Sequence, residues 1–187
     1  KNDVIQRLFG EQKFDYCINT AAYTNVEKAE SEQKEAFLIN AEGAYNLAKA
    51  CKKYTVVLLH ISTDYVYPGT DGDYDENSPL SPYTGNNDGL TKYGWSKLGG
   101  ECAVKMYDNS LILRACICDK PFTHKKAATD VKKSLLFNDE AGEIILKLIN
   151  EKGIINVGGE ARTVYDFAHE HDSTTQKLSK EDIDDVN

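Results

Sequence analysis

Tyr93-Gly94-Trp95-Ser96-Lys97 sets a phenol and an ammonium four positions apart, which on a helix places them on one face, a turn from each other. A cation beside a phenol favours the phenolate and draws the tyrosine pKa down toward the working pH. Such a pair can give a proton to a reacting oxygen and take one back. The spacing alone is common, and Tyr45 and Lys49 repeat it. Context separates the two. Tyr45 lies on the helix following Asn40, far in sequence from any strand end, and reads as a surface pair. Tyr93 follows Ser62-Thr63-Asp64-Tyr65-Val66-Tyr67, which comes directly after the strongest strand-like run of the chain. A hydroxyl at that strand end could hydrogen-bond a substrate carbonyl oxygen, or could merely cap a turn.

The elements that must hold these groups alternate between strand and helix. Phe14 to Asn19 is a short apolar run leading into Thr20-Ala21-Ala22. Val26 to Lys53 is helical in pattern, with Phe37, Ala41, Ala44, Ala48 and Cys51 on one face. Thr55 to Ile61 is β-branched and apolar on both faces, as a buried parallel strand should be. Ser62 to Leu90 gathers the turn chemistry: Pro68-Gly69, Asp71-Gly72, Pro79, Pro82 and Asn86-Asn87-Asp88-Gly89. A long irregular segment of this kind is usually a functional loop. Helix resumes from Thr91 to about Tyr107, with Trp95, Leu98, Cys102 and Met106 as the expected apolar stripe. A strand at Leu111 to Cys116, a helix at Asp139 to Asn150, a strand at Ile154 to Val157 before Gly158-Gly159, and a helix at Thr163 to Glu170 complete the pattern. The polar tail after His171 is expected to fray.

This order predicts an α/β fold, a doubly wound parallel (Rossmann-like) sheet with helices on its faces. Residues 1–116 read as a partial dinucleotide-binding domain. Residues 117–187 read as a small C-terminal substrate-side lobe adding one further strand and helices. Ligands of such sheets sit at the carboxyl ends of the strands. Chemistry is therefore expected at Thr20 to Thr24, Ser62 to Tyr67 and from Cys116 onward.

Bulk properties narrow the class. The 187-residue chain is 41% hydrophobic and 28% charged, ordinary for a globular protein. Its formal charge of −8 disfavours a nucleic-acid surface, and Lys52-Lys53, Lys125-Lys126 and Lys132-Lys133 are short pairs on solvated faces. No run reaches the ~20 apolar residues of a membrane span, and Lys1 to Arg7 is no secretion signal. The five cysteines are scattered in apolar company and read as reduced packing residues, so the expected setting is cytoplasmic. Cys116-Ile117-Cys118 lacks zinc-ligand spacing, and no metal is expected. His60 lies within the buried strand and reads as a satisfied core residue.

Several ordered motifs together carry a resemblance. These are Asn19-Thr20-Ala21-Ala22-Tyr23-Thr24, Val26-Glu27-Lys28-Ala29-Glu30-Ser31-Glu32, Ser62 through Gly69, and Tyr93 to Lys97 with Leu98-Gly99-Gly100-Glu101. They resemble the extended short-chain dehydrogenase/reductase superfamily and, within it, the dTDP-4-dehydrorhamnose reductase family. The likeness runs from residue 1 to about Arg114 and is looser beyond. It implies reduction of a 4-keto-6-deoxy nucleotide sugar by NADP- or NAD-borne hydride, in polysaccharide synthesis. Tyr93 would be the general acid, and Lys97 would lower its pKa and hold the nicotinamide ribose. Thr63 would polarise the same carbonyl, with Asp64 beside the sugar. Ala22, Tyr23, Thr24 and Ser62 would line the cofactor, and Asn40 would serve packing or a proton relay. Dehydratases of the superfamily carry Asp-Glu after the Thr to abstract a proton and expel water. Here the residues are Asp64-Tyr65, which favours simple reduction.

The pattern also departs from the family. No Gly-rich pyrophosphate-binding turn precedes Phe14; by the motif offsets, about forty residues carrying it and the NADH/NADPH discriminator are expected upstream. The chain as given is thus expected to bind nicotinamide poorly. After Arg114 the family usually places an aromatic residue, whereas this chain has Ala115-Cys116-Ile117-Cys118. Tyr83 to Gly89 reads as an insertion. An NDP-sugar epimerase and a non-catalytic NAD(P)-binding regulatory subunit stay open beside the reductase, and a homodimer is compatible with each.

Overall fold

The computed structural model describes residues 2–70, 72–80, 83–84 and 89–179. It divides into two compact units, Lys1–Arg114 with Asn150–Asn156, and Ala115–Ile149 with Val157–Asn187. The first unit thus runs to Arg114, and a short later stretch returns to it.

The first unit begins with helix α1 (Asn2–Glu11), which is not among the expected elements; it buries Phe9. Strand β1 (Tyr16–Asn19) follows. The expected continuous helix from Val26 to Lys53 is broken instead into α2 (Val26–Ser31), α3 (Gln33–Phe37), a π-helical turn (Leu38–Glu42) and α4 (Gly43–Tyr54). Asn25 starts this run by accepting the Lys28 amide, satisfying one of the donors a helix start leaves unpaired. The π turn inserts an extra residue and rotates what precedes it. Ala44, Ala48 and Cys51 consequently face the core as expected, while Phe37, upstream of the turn, is exposed. Thr55 ends α4 in the left-handed conformation at φ +60°, a strained choice for a β-branched residue that reverses the chain into β2 (Val57–Thr63).

β1 and β2 are parallel, with Asn19 opposite His60, so their carboxyl ends lie side by side. A 3₁₀ turn (Asp64–Val66) leaves β2, and two short strands, β3 (Tyr83–Thr84) and β4 (Gly89–Leu90), pair antiparallel. Asp71, Pro82 and the centre of the expected Tyr83–Gly89 insertion lie outside the described residues. Helix α5 (Lys92–Lys105), capped by Thr91, packs on β2 and on the π turn. β5 (Ser110–Cys118) then lies beside β2. The core between helices and sheet is Phe9, Ala44, Ala48, Ala50, Cys51, Val56, Leu58, Val104, Tyr107 and Ile112, apolar side chains whose burial drives the unit together.

In the second unit the last residues of β5 pair in parallel with β8 (Leu135–Phe137). Before β8 come β6 (Lys126–Ala128) and β7 (Lys132–Lys133), and after it α6 (Asn138–Leu148); the chain then passes through β9 (Gly153–Val157), which pairs with β5 and belongs to the first unit up to Asn156, before β10 (Arg162–Thr163) and α7 (Val164–His171) of the second. Leu135, Phe137 and Phe167 form this unit's core, with His171 edge-on to Phe137. The tail does not simply fray after His171: β11 (Gln176–Leu178) pairs in parallel with β6. Two of its three side chains, Gln176 and Lys177, are polar and exposed, but its backbone groups find partners in Lys125 and Thr129.

Candidate active site

The carboxyl ends of β1 and β2 supply two walls, and α5 supplies the third. After β1, the segment from Thr20 to Thr24 has no helix or strand of its own and is held from behind. Asn19 is the first clamp. Its Oδ1 accepts the Ala21 amide at 3.2 Å, which fixes the amide orientation, and its Nδ2 donates to His60 Nδ1 at 2.9 Å. Asn40, buried in the π turn, is the second. It accepts the Tyr23 amide at 2.7 Å, and its Nδ2 lies 3.1 Å from the Tyr23 carbonyl and 2.8 Å from Ser96 Oγ on α5. Ser96 in turn donates to the Tyr93 carbonyl at 2.7 Å. Of the two roles weighed for Asn40, its side chain fills the structural one, tying the β1 loop to the helix of Tyr93. Ala22 and Tyr23 are half-buried and Thr24 is exposed. The Tyr23 hydroxyl bonds Glu32, and that carboxylate pushes its pKa up to about 12.

At the end of β2, Ser62 and Thr63 are both buried. Thr63 Oγ1 accepts the Tyr65 amide at 3.2 Å and so caps the 3₁₀ turn; its own proton points toward Asp64 Oδ1 at 3.3 Å. Ser62, expected at the cofactor, spends its proton on Glu101 Oε1 at 2.5 Å. On α5, Tyr93 is half-buried and meets Tyr65 edge-on, ring centroids 5.7 Å apart. Lys97, one turn on, is buried, and its Nζ donates to the Ile61 carbonyl at 2.6 Å. Burial pushes the Lys97 pKa down to about 8, with Glu101 partly opposing. Burial, and then the Lys97 charge, push His60 down to about 3. His60 is thus neutral, and only half satisfied: among the described residues Nε2 has no hydrogen-bond partner.

The face of α5 turned to the protein is Gly94, Ser96, Lys97, Gly100, Glu101 and Val104. This overturns the expected apolar stripe: Trp95 and Leu98 are half-buried, Cys102 is exposed and Met106 is 71% exposed. The helix buries polar side chains because each finds a partner, Ser96 on the π turn and Lys97 and Glu101 on β2 and β5, which removes the usual cost of burying them. Small residues let it come close. A Cβ on Gly100 would stand 2.4 Å from the Asn40 carbonyl oxygen.

Glu101, which the motifs include without a role, and Arg114 are further candidates at this site. Arg114 Nη2 donates to Glu101 Oε2 at 2.7 Å, Nε lies 3.0 Å from Oε1, and Nη1 donates to the Tyr67 hydroxyl at 2.8 Å. The available signal was spacing: Glu101 follows Lys97 by four residues and so shares its face. Tyr45, by contrast, is exposed, as expected of a surface pair.

A parallel sheet with helices packed against it, and a helix-borne tyrosine and lysine at its carboxyl end, place the chain in the Rossmann-like α/β class. Residues 1–118 match the family of RmlD substrate binding domains, and the chain belongs to that family. Over 101 residues it is 46% identical to the dTDP-4-dehydrorhamnose reductase of Streptomyces griseus, covering 54% of this chain and 31% of that protein. Over 114 residues it is 36% identical to the corresponding reductase of Aggregatibacter actinomycetemcomitans, covering 60% and 36%. The crystal structure of dTDP-4-dehydrorhamnose reductase from Bacillus anthracis in complex with NADP superposes with a TM-score of 0.84 at 26% identity, covering 97% of this chain and 71% of that one. The matched stretches thus span only about a third of these curated relatives, 31% and 36%. Among the described residues no helix is long and apolar enough to cross a membrane.

Proposed function

We propose that the protein carrying this chain reduces the C4 keto group of a nucleotide-linked 6-deoxy sugar, with NADPH or NADH as reductant. The observation that carries the reading is Lys97: a buried ammonium held 2.6 Å from the Ile61 carbonyl, at the strand end that bears Thr63 and one helical turn from Tyr93. The donor set fits the nicotinamide half of the cofactor, with Lys97 toward the ribose and the clamped Ala22–Thr24 segment as a wall; NAD(P)H, when bound, supplies the hydride that C4 receives. Thr63 and Tyr93 then receive the keto oxygen by hydrogen bonds, and Tyr93 gives its proton to that oxygen as charge builds on it. Lys97 stabilises the phenolate left behind, and solvent returns the proton. The products are the C4 alcohol and NAD(P)⁺. Asp64 faces the sugar.

The test is an assay of the full-length protein with a dTDP-4-keto-6-deoxy sugar. One NAD(P)H should be oxidised per sugar reduced, and Tyr93→Phe should lower kcat by roughly 10²–10⁴-fold, the range of general acid catalysis, with an unchanged circular dichroism spectrum. Sugar interconversion without net cofactor consumption would replace the reductase by an epimerase. Neither activity, together with co-purification of a partner enzyme, would replace it by a regulatory subunit.

A further inference from the structure

The Glu101–Arg114 pair is buried on both sides, each side chain no more than 3% exposed. Taking two charges out of water is costly, and apolar residues of similar volume often serve stability equally well. Stability therefore does not account for the pair; its remaining hydrogen bonds do. Glu101 takes the proton of Ser62, the residue before Thr63. Arg114 donates to the hydroxyl of Tyr67, the residue that closes the 3₁₀ turn, whose amide bonds the Asp64 carbonyl at 3.0 Å. Tyr67 is braced further: its hydroxyl reaches Asn156 Oδ1 at 2.8 Å and the Asp75 carbonyl at 3.0 Å, and its ring stacks on Tyr74. Both ends of the Thr63–Val66 segment are thus tied to one rigid ion pair. Its carboxylate sits on α5, the helix that also carries Tyr93 and Lys97.

We propose that Glu101 and Arg114 are positioning residues: through Ser62 and Tyr67 they set the direction of the Thr63 hydroxyl relative to the helix of Tyr93. The proposal rests on the reading of Thr63 as the carbonyl partner. Removing either charge outright would orphan the other in the core and could unfold the unit, so the informative change is Tyr67→Phe, which deletes one hydroxyl. Glu101→Asp, which keeps the charge in the core but shortens its reach to Ser62 and Arg114, is the second variant. Tyr107→Phe is the control, since it deletes another buried hydroxyl of this unit, bonded to the Val56 carbonyl.

In the full-length protein, Tyr67→Phe and Glu101→Asp should speed amide exchange at Tyr65 and Tyr67 by about tenfold or more while Leu58 to His60 in β2 keep their protection. Both should lower kcat by roughly ten- to a hundredfold with KM for NAD(P)H unchanged, the cost of a small misplacement of a reacting partner. Tyr107→Phe should do neither. Unchanged exchange at Tyr65 and Tyr67, or faster exchange with full kcat, would overturn the proposal. A parent protein without reductase activity defeats the functional reading instead, and the exchange comparison then decides the positioning by itself.

Discussion

Asn19, His60 and Lys97 show how single side chains near the site constrain one another. Asn19 has only donors on Nδ2, so His60 must accept through Nδ1 and carry its proton on Nε2, where among the described residues nothing receives it. Charging this imidazole would place a second cation beside Lys97 in a buried setting. The consequence is a pH dependence of stability. The folded-state pKa of His60 is depressed to about 3 against 6.5 when unfolded. Below pH 6.5 the unfolded chain therefore binds a proton that the folded chain refuses, and stability is lost as pH falls toward 3. The slope should approach 1.4 kcal/mol per pH unit, an order-of-magnitude figure for one proton. Urea midpoints measured between pH 7 and 4 should fall less steeply in His60→Gln, whose amide oxygen can still accept from Asn19. Parallel slopes in the two proteins would show that the imidazole is charged in the folded state.

Helix α5 matters at the next scale because its inward face is polar and small where its outward face is apolar. The close approach to the π turn depends on Gly100, whose added methyl would stand 2.4 Å from a backbone oxygen that cannot swing aside. Helix propensity favours Ala over Gly by roughly 1 kcal/mol, while overpacking costs about 1–3 kcal/mol, so the clash should win. Gly100→Ala is expected to lower stability by up to about 2 kcal/mol in urea unfolding. Gly142 in α6 provides the opposite case: a Cβ there meets nothing within 4 Å. Gly142→Ala is expected to raise stability by roughly 0.5–1 kcal/mol in the same experiment. Equal effects at the two positions would mean that α5 does not sit this close to Asn40.

On the scale of the whole molecule, each of the two units has its own core, and the tail belongs to the second. The Thr129 amide donates to the Leu178 carbonyl at 2.9 Å, and the Gln176 amide to the Lys125 carbonyl at 2.9 Å. Ending the chain after Asp172 should therefore expose Lys126 to Thr129 to faster amide exchange, while the first unit, with β2 and α5, keeps its protection. Undisturbed exchange in β6 would show that β11 contributes no ladder.

Much of this protein was determined by local sequence. The β-branched run before Ser62 favoured a buried strand, the turn residues after it a largely irregular segment, and Tyr93 to Lys97 a shared helix face, because periodicity and backbone preference act over a few residues. The resemblance carried by the ordered motifs identified the family on the same basis. Other features needed the tertiary structure. The rotation that exposes Phe37 comes from an inserted π turn, which leaves no mark on the apolar pattern. The inward face of α5 is Lys97 and Glu101 rather than Trp95 and Met106, since buried polar groups are permitted only where distant partners, Ile61, Ser62 and Arg114, reach them. β11 offers a single apolar side chain, Leu178, and is a strand through its backbone bonds to β6. These outcomes depend on groups tens of residues apart meeting in space, which spacing along the chain does not encode.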